Sequence, residues 1–104
     1  MDQVGLMTVE VVDDRVMVFG ELDTYGAAKL REHLIELGIV AGTAIDLDLS
    51  EVTFIDSTGL GVLMKAVTLS SENGKRFSIR PQLSAAVRRT LEVAGMVQRL
   101  PFAA

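Results

Sequence analysis

Phe54-Ile55-Asp56-Ser57-Thr58-Gly59-Leu60-Gly61-Val62-Leu63 is where the chain changes period. Behind it, Val52 to Ile55 reads as a strand; ahead of it, Thr58 to about Glu72 repeats at about 100° per residue. In that helix Gly59, Leu63, Ala66, Val67 and Ser70 share one face, and Ser57, Gly61, Met64, Lys65 and Thr68 share the other. A hydroxyl, Ser57, therefore stands at or beside a helix start. Backbone N–H groups are free there and the helix dipole is positive, so added negative charge is tolerated. Such a serine suits phosphorylation, although taken by itself it reads first as an ordinary N-cap.

The pattern extends in both directions. Leu6 to Val12 and Arg15 to Phe19 are rich in β-branched and aliphatic residues, and Asp13-Asp14 between them predicts a hairpin. Gly20-Glu21-Leu22-Asp23-Thr24 reads as a turn ending in N-cap residue types. A helix is expected from there to about Leu37, with Ala27, Leu30, Leu34 and Leu37 on its apolar stripe and Gly38 as its C-cap. Ala44 to Leu49 alternates, with Ile45, Leu47 and Leu49 on one face and Asp46 and Asp48 on the other. Asn73-Gly74 stops the next helix, and Arg76 to Arg80 is a short strand closed by Pro81. Ser84 caps a last helix carrying Val87, Leu91 and Ala94 and ending at Gly95, with Met96 to Ala104 as a tail or short final element. A hairpin followed by alternating helices and strands is an α/β domain with one mixed sheet of about four to five strands. Its helical crossovers are expected to be parallel.

Bulk properties narrow the function classes. With 104 residues the chain is expected to form one domain, residues 1–104, with its core at about 6–100. Hydrophobic residues at 49% against 23% charged supply a core and argue against disorder. A net charge of −4 without a basic face argues against direct contact with nucleic acid. Zero cysteines exclude disulfides, zinc–thiolate sites and a cysteine nucleophile. The N-terminus has no basic segment followed by an apolar one, and no apolar run reaches the ~18–20 residues of a membrane span. A cytoplasmic protein without membrane insertion is the expectation.

Enzyme chemistry finds little support. No Gly-x-Ser-x-Gly elbow is present, and His33 is a lone surface histidine on an early helix. The phosphate loop ending in Gly-Lys-Ser/Thr is missing, and Met64 stands where a third glycine of Gly-x-Gly-x-x-Gly would fall. Asp46 and Asp48 alternate on a strand without further clustered ligands, which describes a solvated face better than a metal site. Without a catalytic partner, Ser57 reads as a substrate and not as a nucleophile.

Asp48-Leu49-Ser50 followed by Phe54-Ile55-Asp56-Ser57-Thr58-Gly59-Leu60-Gly61 closely resembles the STAS domain of bacterial anti-sigma-factor antagonists. Gly20-Glu21-Leu22-Asp23 looks like the family's run after the second strand, and Leu83 through Arg88-Arg89-Thr90-Leu91 to Gly95 looks like its C-terminal helix. The resemblance spans about residues 6–100. It implies the STAS fold and an antagonist that binds, when unphosphorylated, an anti-sigma factor with serine kinase activity, which releases a sigma factor. Phosphorylation of Ser57 would switch it off, and a PP2C-type phosphatase would reset it. Asp23 matches a family aspartate associated with partner binding and phosphorylation, while Thr58 is not the usual acceptor. With Ser57, the residues expected at the partner surface are Asp23, Asp56, Thr58, Gly59, Gly61 and Met64. Asp23 and Asp56 also read as turn or cap residues, and Gly59 and Gly61 equally as packing glycines. No cofactor or metal is implied. Asp46 departs from the family pattern, which carries an aliphatic residue there. The alternative within the family is a structural or regulatory STAS subunit of a membrane lipid-transport complex, without a phosphorylation cycle.

Overall fold

The computed structural model describes residues 7–13, 15–35, 44–74 and 76–103. In chain order the elements are β1 (Met7–Val12), β2 (Arg15–Leu22), α1 (Thr24–Leu34), β3 (Ile45–Ile55), α2 (Ser57–Glu72), β4 (Phe77–Ile79) and α3 (Ala85–Val93). The strands form one mixed sheet in the order β1-β2-β3-β4. β1 and β2 pair antiparallel as a hairpin, with Val12 opposite Arg15 and Asp13 at a φ of 56°, the left-handed conformation that two-residue hairpin turns require. β2–β3 and β3–β4 pair parallel across helical connections. The tail adds a single parallel bridge, Ile79 to Phe102, on the far side of β4.

Side-chain alternation sets the core. Ile45, Leu47 and Leu49 of β3, Val16 and Val18 of β2 and Ile79 of β4 are buried, together with Leu30 and Leu34 of α1, Leu63 of α2 and Val87 and Leu91 of α3. Met96 and Leu100 join the same cluster, so the tail is anchored. α1 packs against α2, and α3 against β3. Ser84 caps α3 as expected, accepting from Val87 N at 3.3 Å, while its own hydroxyl donates to Val52 O at 2.9 Å.

Several boundaries differ from the sequence expectation. β2 does not stop at Phe19 but continues through Gly20-Glu21 to Leu22, because β3 supplies a parallel partner along that whole length. β3 is one strand of 11 residues instead of two runs separated at Ser50-Glu51. A register shift against β2 falls there, so Leu49 and Val52 both face the core although they lie three apart. α1 is described to Leu34, with Ile35 still in helical conformation at its C-cap, and the expected end at Leu37 and Gly38 lies outside the described residues, as do Leu6 and Asp14. β4 keeps only the central three residues of Arg76 to Arg80. His33 is half-buried, and Ala94 is an exposed C-cap and not part of the α3 stripe.

The outer face of the sheet explains Asp46. Arg15 lies opposite it on β2, 3.9 Å away, and Arg80 approaches it at 3.4 Å, so the carboxylate is ion-paired on a half-exposed face. Pairs of this kind contribute at most about 1 kcal/mol. Beside it, burial works to raise the pKa of Asp48. Hydrogen bonds from the Ser50 hydroxyl and N–H, helped by Arg80 and Arg15, outweigh that and hold it below the ordinary carboxylate range.

Candidate functional site

Two helices begin side by side at the same end of the sheet. Leu22 and Ile55 are register partners at the ends of β2 and β3, and Asp56 N donates to Leu22 O at 3.3 Å. The next residue on each strand is an aspartate in extended conformation, and each caps the helix that follows. Asp23 Oδ1 accepts from Gly26 N at 2.9 Å. Asp56 Oδ1 accepts from Thr58 N at 3.0 Å and Gly59 N at 3.2 Å, and also from the Thr58 hydroxyl. Both aspartates therefore carry a structural duty, and the strand register brings them together as neighbours.

Ser57 is the first residue of α2, not its cap. Its side chain is exposed, and its hydroxyl makes no hydrogen bond among the described residues. The sequence expectation that helix N–H groups would receive added charge needs correction. The Asp56 carboxylate already takes the Thr58 and Gly59 N–H groups, and Leu60 N closes the first helical turn on Asp56 O at 3.0 Å. A charge placed on Ser57 would project outward beside a carboxylate. The hydrogen bond from the Thr58 hydroxyl lowers the pKa of that carboxylate; burial opposes it, and the Gly59 and Thr58 N–H groups add to the lowering, so it lies below the ordinary range.

The two candidate glycines separate cleanly. Gly59 is buried, and a Cβ there would meet Leu22 O at 2.7 Å and Ile55 Cγ1 at 2.8 Å, so its role is close packing of helix on sheet. Gly61 is exposed with open space around it, which leaves it available to a partner. Met64 is half-buried against the core and shows only part of its side chain on the exposed face. Thr58 is exposed with its hydroxyl engaged. Ser57, Thr58 and Gly61 therefore form the outward surface, Met64 flanks it, and Gly59 lies beneath it.

Sequence reasoning missed two residues. Phe54 is 47% exposed at the end of β3 and Tyr25 is 64% exposed in the first turn of α1, which puts both aromatics at the same sheet end as Ser57. Phe54 pairs with Glu21 in the register, and Glu51, also exposed, stands on the same strand. The signal was hidden by a second register shift against β2, between Val52 and Phe54. Simple alternation from the buried Val52 would put Phe54 inside, whereas Val52 and Ile55 face in and Phe54 faces out.

Asp56 gives the first prediction. Its folded pKa is depressed, so its stabilisation is complete at neutral pH and is lost as pH falls through the carboxylate range, below about 4. Asp56→Ala is expected to cost about 1 kcal/mol at pH 7, the usual loss of an N-cap. Asp56→Asn keeps the cap without the charge and should lose less stability than wild type between pH 6 and 3. Urea denaturation at both pH values checks this, and equal acid sensitivity of the Asp56→Asn variant and the wild type would contradict it.

Comparison with known proteins agrees with this fold. A family model described as "Mlab, STAS domain" matches residues 8–101. The anti-sigma-B factor antagonist of Bacillus subtilis is 32% identical over 84 residues, covering 81% of this chain and 75% of that protein. That of Listeria monocytogenes is 43% identical over 51 residues, 49% of this chain and 45% of the other, so the match spans less than half the length of the Listeria relative. The crystal structure of an anti-sigma factor antagonist from Mycobacterium paratuberculosis superposes with a TM-score of 0.76 at 27% identity, covering 98% of this chain and 89% of that one. The chain belongs to the STAS-domain family of anti-sigma factor antagonists. Among the described residues, no helix is long and apolar enough to cross a membrane, and no cluster of three metal-ligating side chains occurs.

Proposed function

We propose that this protein is an anti-sigma factor antagonist whose binding is gated by phosphorylation of Ser57. The unphosphorylated chain binds an anti-sigma factor that is also a serine kinase, and the sigma factor is thereby released. The kinase modifies Ser57 and ends the interaction, and a PP2C-type phosphatase restores it. The protein is a substrate in this cycle and not an enzyme. The observation that carries the reading is the exposed, unengaged Ser57 hydroxyl at the first position of α2, beside an aspartate that does the capping in its place. The antagonist names of the Bacillus and Listeria relatives support the partner class.

The direct test incubates the protein with the kinase-active anti-sigma factor and Mg-ATP and maps the modified residue by mass spectrometry. Phosphate on Ser57, absent from Ser57→Ala, is expected; equal modification of the alanine variant would refute the assignment. A pull-down from the native host adds a second reading of the same question. A transport ATPase in place of a kinase-like anti-sigma factor would favour the lipid-transport role.

Phe54 and Tyr25 are the expected anchors of that interface, since exposed aromatics commonly dominate binding energy. Phe54→Ala and Tyr25→Ala should each weaken partner binding by about tenfold or more, with thermal midpoints close to wild type because both side chains already face solvent. Calorimetric titration measures the effect. Unchanged affinity in both variants would remove this end of the sheet from the interface.

A further inference from the structure

Two adjacent hydroxyls, Ser57 and Thr58, are both exposed at the start of α2, yet only one is free. Thr58 Oγ1 donates to Asp56 Oδ1, the same oxygen that receives the Thr58 and Gly59 N–H groups. Resting on the reading of Ser57 as a phosphoacceptor, we propose that Asp56 is a positioning residue that selects the acceptor: it ties down the Thr58 hydroxyl and leaves Ser57 alone open to phosphoryl transfer.

The chemistry of the step favours this. Transfer requires a hydroxyl oxygen to attack the γ-phosphorus of a nucleoside triphosphate held by the kinase. The new O–P bond forms as the bond to the nucleoside diphosphate leaving group breaks, and the hydroxyl proton passes to a base on the kinase. Ser57 Oγ meets these demands without losing a contact. Thr58 Oγ1 would first have to surrender a hydrogen bond to a charged acceptor. It would then bring the anionic γ-phosphoryl oxygens against the Asp56 carboxylate. Asp56 is also a poor substitute for the base, because its three donors hold its pKa below the ordinary range. The loss of one charge-assisted hydrogen bond alone is worth about tenfold or more in rate.

The variants must free Thr58 without unravelling the helix. Asp56→Gly keeps a residue tolerated at N-caps, and Asp56→Ser keeps one capping oxygen while removing the carboxylate. Full-length protein is incubated with the kinase-active anti-sigma factor and Mg-ATP, and phosphoserine and phosphothreonine are assigned by tandem mass spectrometry. Ser57→Ala should stay unmodified, and Ser57→Ala combined with Asp56→Gly or Asp56→Ser should gain phosphate on Thr58. Three-bond couplings should also show Thr58 in a single χ1 rotamer in wild type and averaging in the Asp56 variants, a readout that needs no kinase.

Phosphate on Thr58 in the Ser57→Ala variant, formed within about tenfold of the wild-type serine rate, overturns the selection. So does a double variant that stays unmodified while folded and still bound to the kinase, or a wild-type Thr58 that averages over rotamers. Wild-type protein that takes phosphate on no residue sinks the acceptor reading and this proposal together. The other results sink only the role of Asp56.

Discussion

Gly26→Ala is expected to cost at least about 3 kcal/mol, the top of the range for overpacking, and to lower the urea midpoint by about 1–3 M. Gly26 is buried in the first turn of α1, and a Cβ there would collide with the backbone carbonyl oxygen of Glu21, with Met7 Cβ a further neighbour at 3.4 Å. The carbonyl belongs to β2 and cannot swing aside like the end of a flexible side chain. Alanine's better helix propensity, about 1 kcal/mol, is too small to compensate. The neighbouring glycines make a graded control. Gly59→Ala meets Leu22 O and Ile55 Cγ1 at 2.7 and 2.8 Å and should destabilise less than Gly26→Ala. Gly61→Ala meets nothing within 4 Å and should be neutral or stabilising by up to about 1 kcal/mol. Comparable losses at positions 26 and 61 would show that the start of α1 is not pressed against β2 as described.

That gradation separates what the sequence makes legible from what it conceals. The Asp-Ser-Thr-Gly run locates the strand-to-helix junction, because N-cap chemistry and a change of hydrophobic period are both local properties. Alternation in Ile45, Leu47 and Leu49 identifies the core face of β3 for the same reason. Parallel register is not local. Whether Gly20-Glu21 is a turn or the continuation of β2 depends on what β3 offers along the sheet, and turn-rich composition loses to that tertiary pairing. The register shifts on either side of Val52 have the same origin, and the second of them concealed Phe54. At the site, the sequence names Asp56, Ser57 and Thr58 together but cannot divide the roles among them. Which residue caps is decided by dihedral angles: Asp56 is extended and Ser57 already helical. Likewise Gly59 and Gly61 look alike in sequence, and only the position of β2 beneath α2 distinguishes a packing glycine from an open one. Asp46 looked like a departure from the pattern and is a partner for two arginines brought from separate strand ends.

Phosphorylation of Ser57 should weaken partner binding by about a hundredfold or more while leaving the fold intact. The modification adds about −1.5 to −2 charges at neutral pH. Were the helix N–H groups free, they would absorb part of that charge, and the interface would feel less of it. Asp56 already holds those of Thr58 and Gly59 and adds its own negative charge beside the phosphate. The phosphate therefore stays at the surface, and a docked partner must either strip its hydration or stand off from it. Leaving a charge buried and unpaired at an interface costs about 2–5 kcal/mol, and each 1.4 kcal/mol is tenfold in affinity. Calorimetric titration of the two forms against the anti-sigma factor gives the ratio, and circular dichroism should show thermal midpoints within a few degrees of each other. Ser57→Asp supplies one charge at a shorter reach and should weaken binding by less than the phosphate does. Ser57→Gln supplies bulk without charge and should lie closest to wild type. The sign depends on the partner's surface. Glu21, Asp23 and Asp56 gather at this end of the sheet, so a partner presenting arginines to them would bind the phosphorylated form more tightly. Tighter binding would reverse the switch, whereas weakening that persists at high salt would point to lost contact and desolvation as its cause, since screened repulsion would fade.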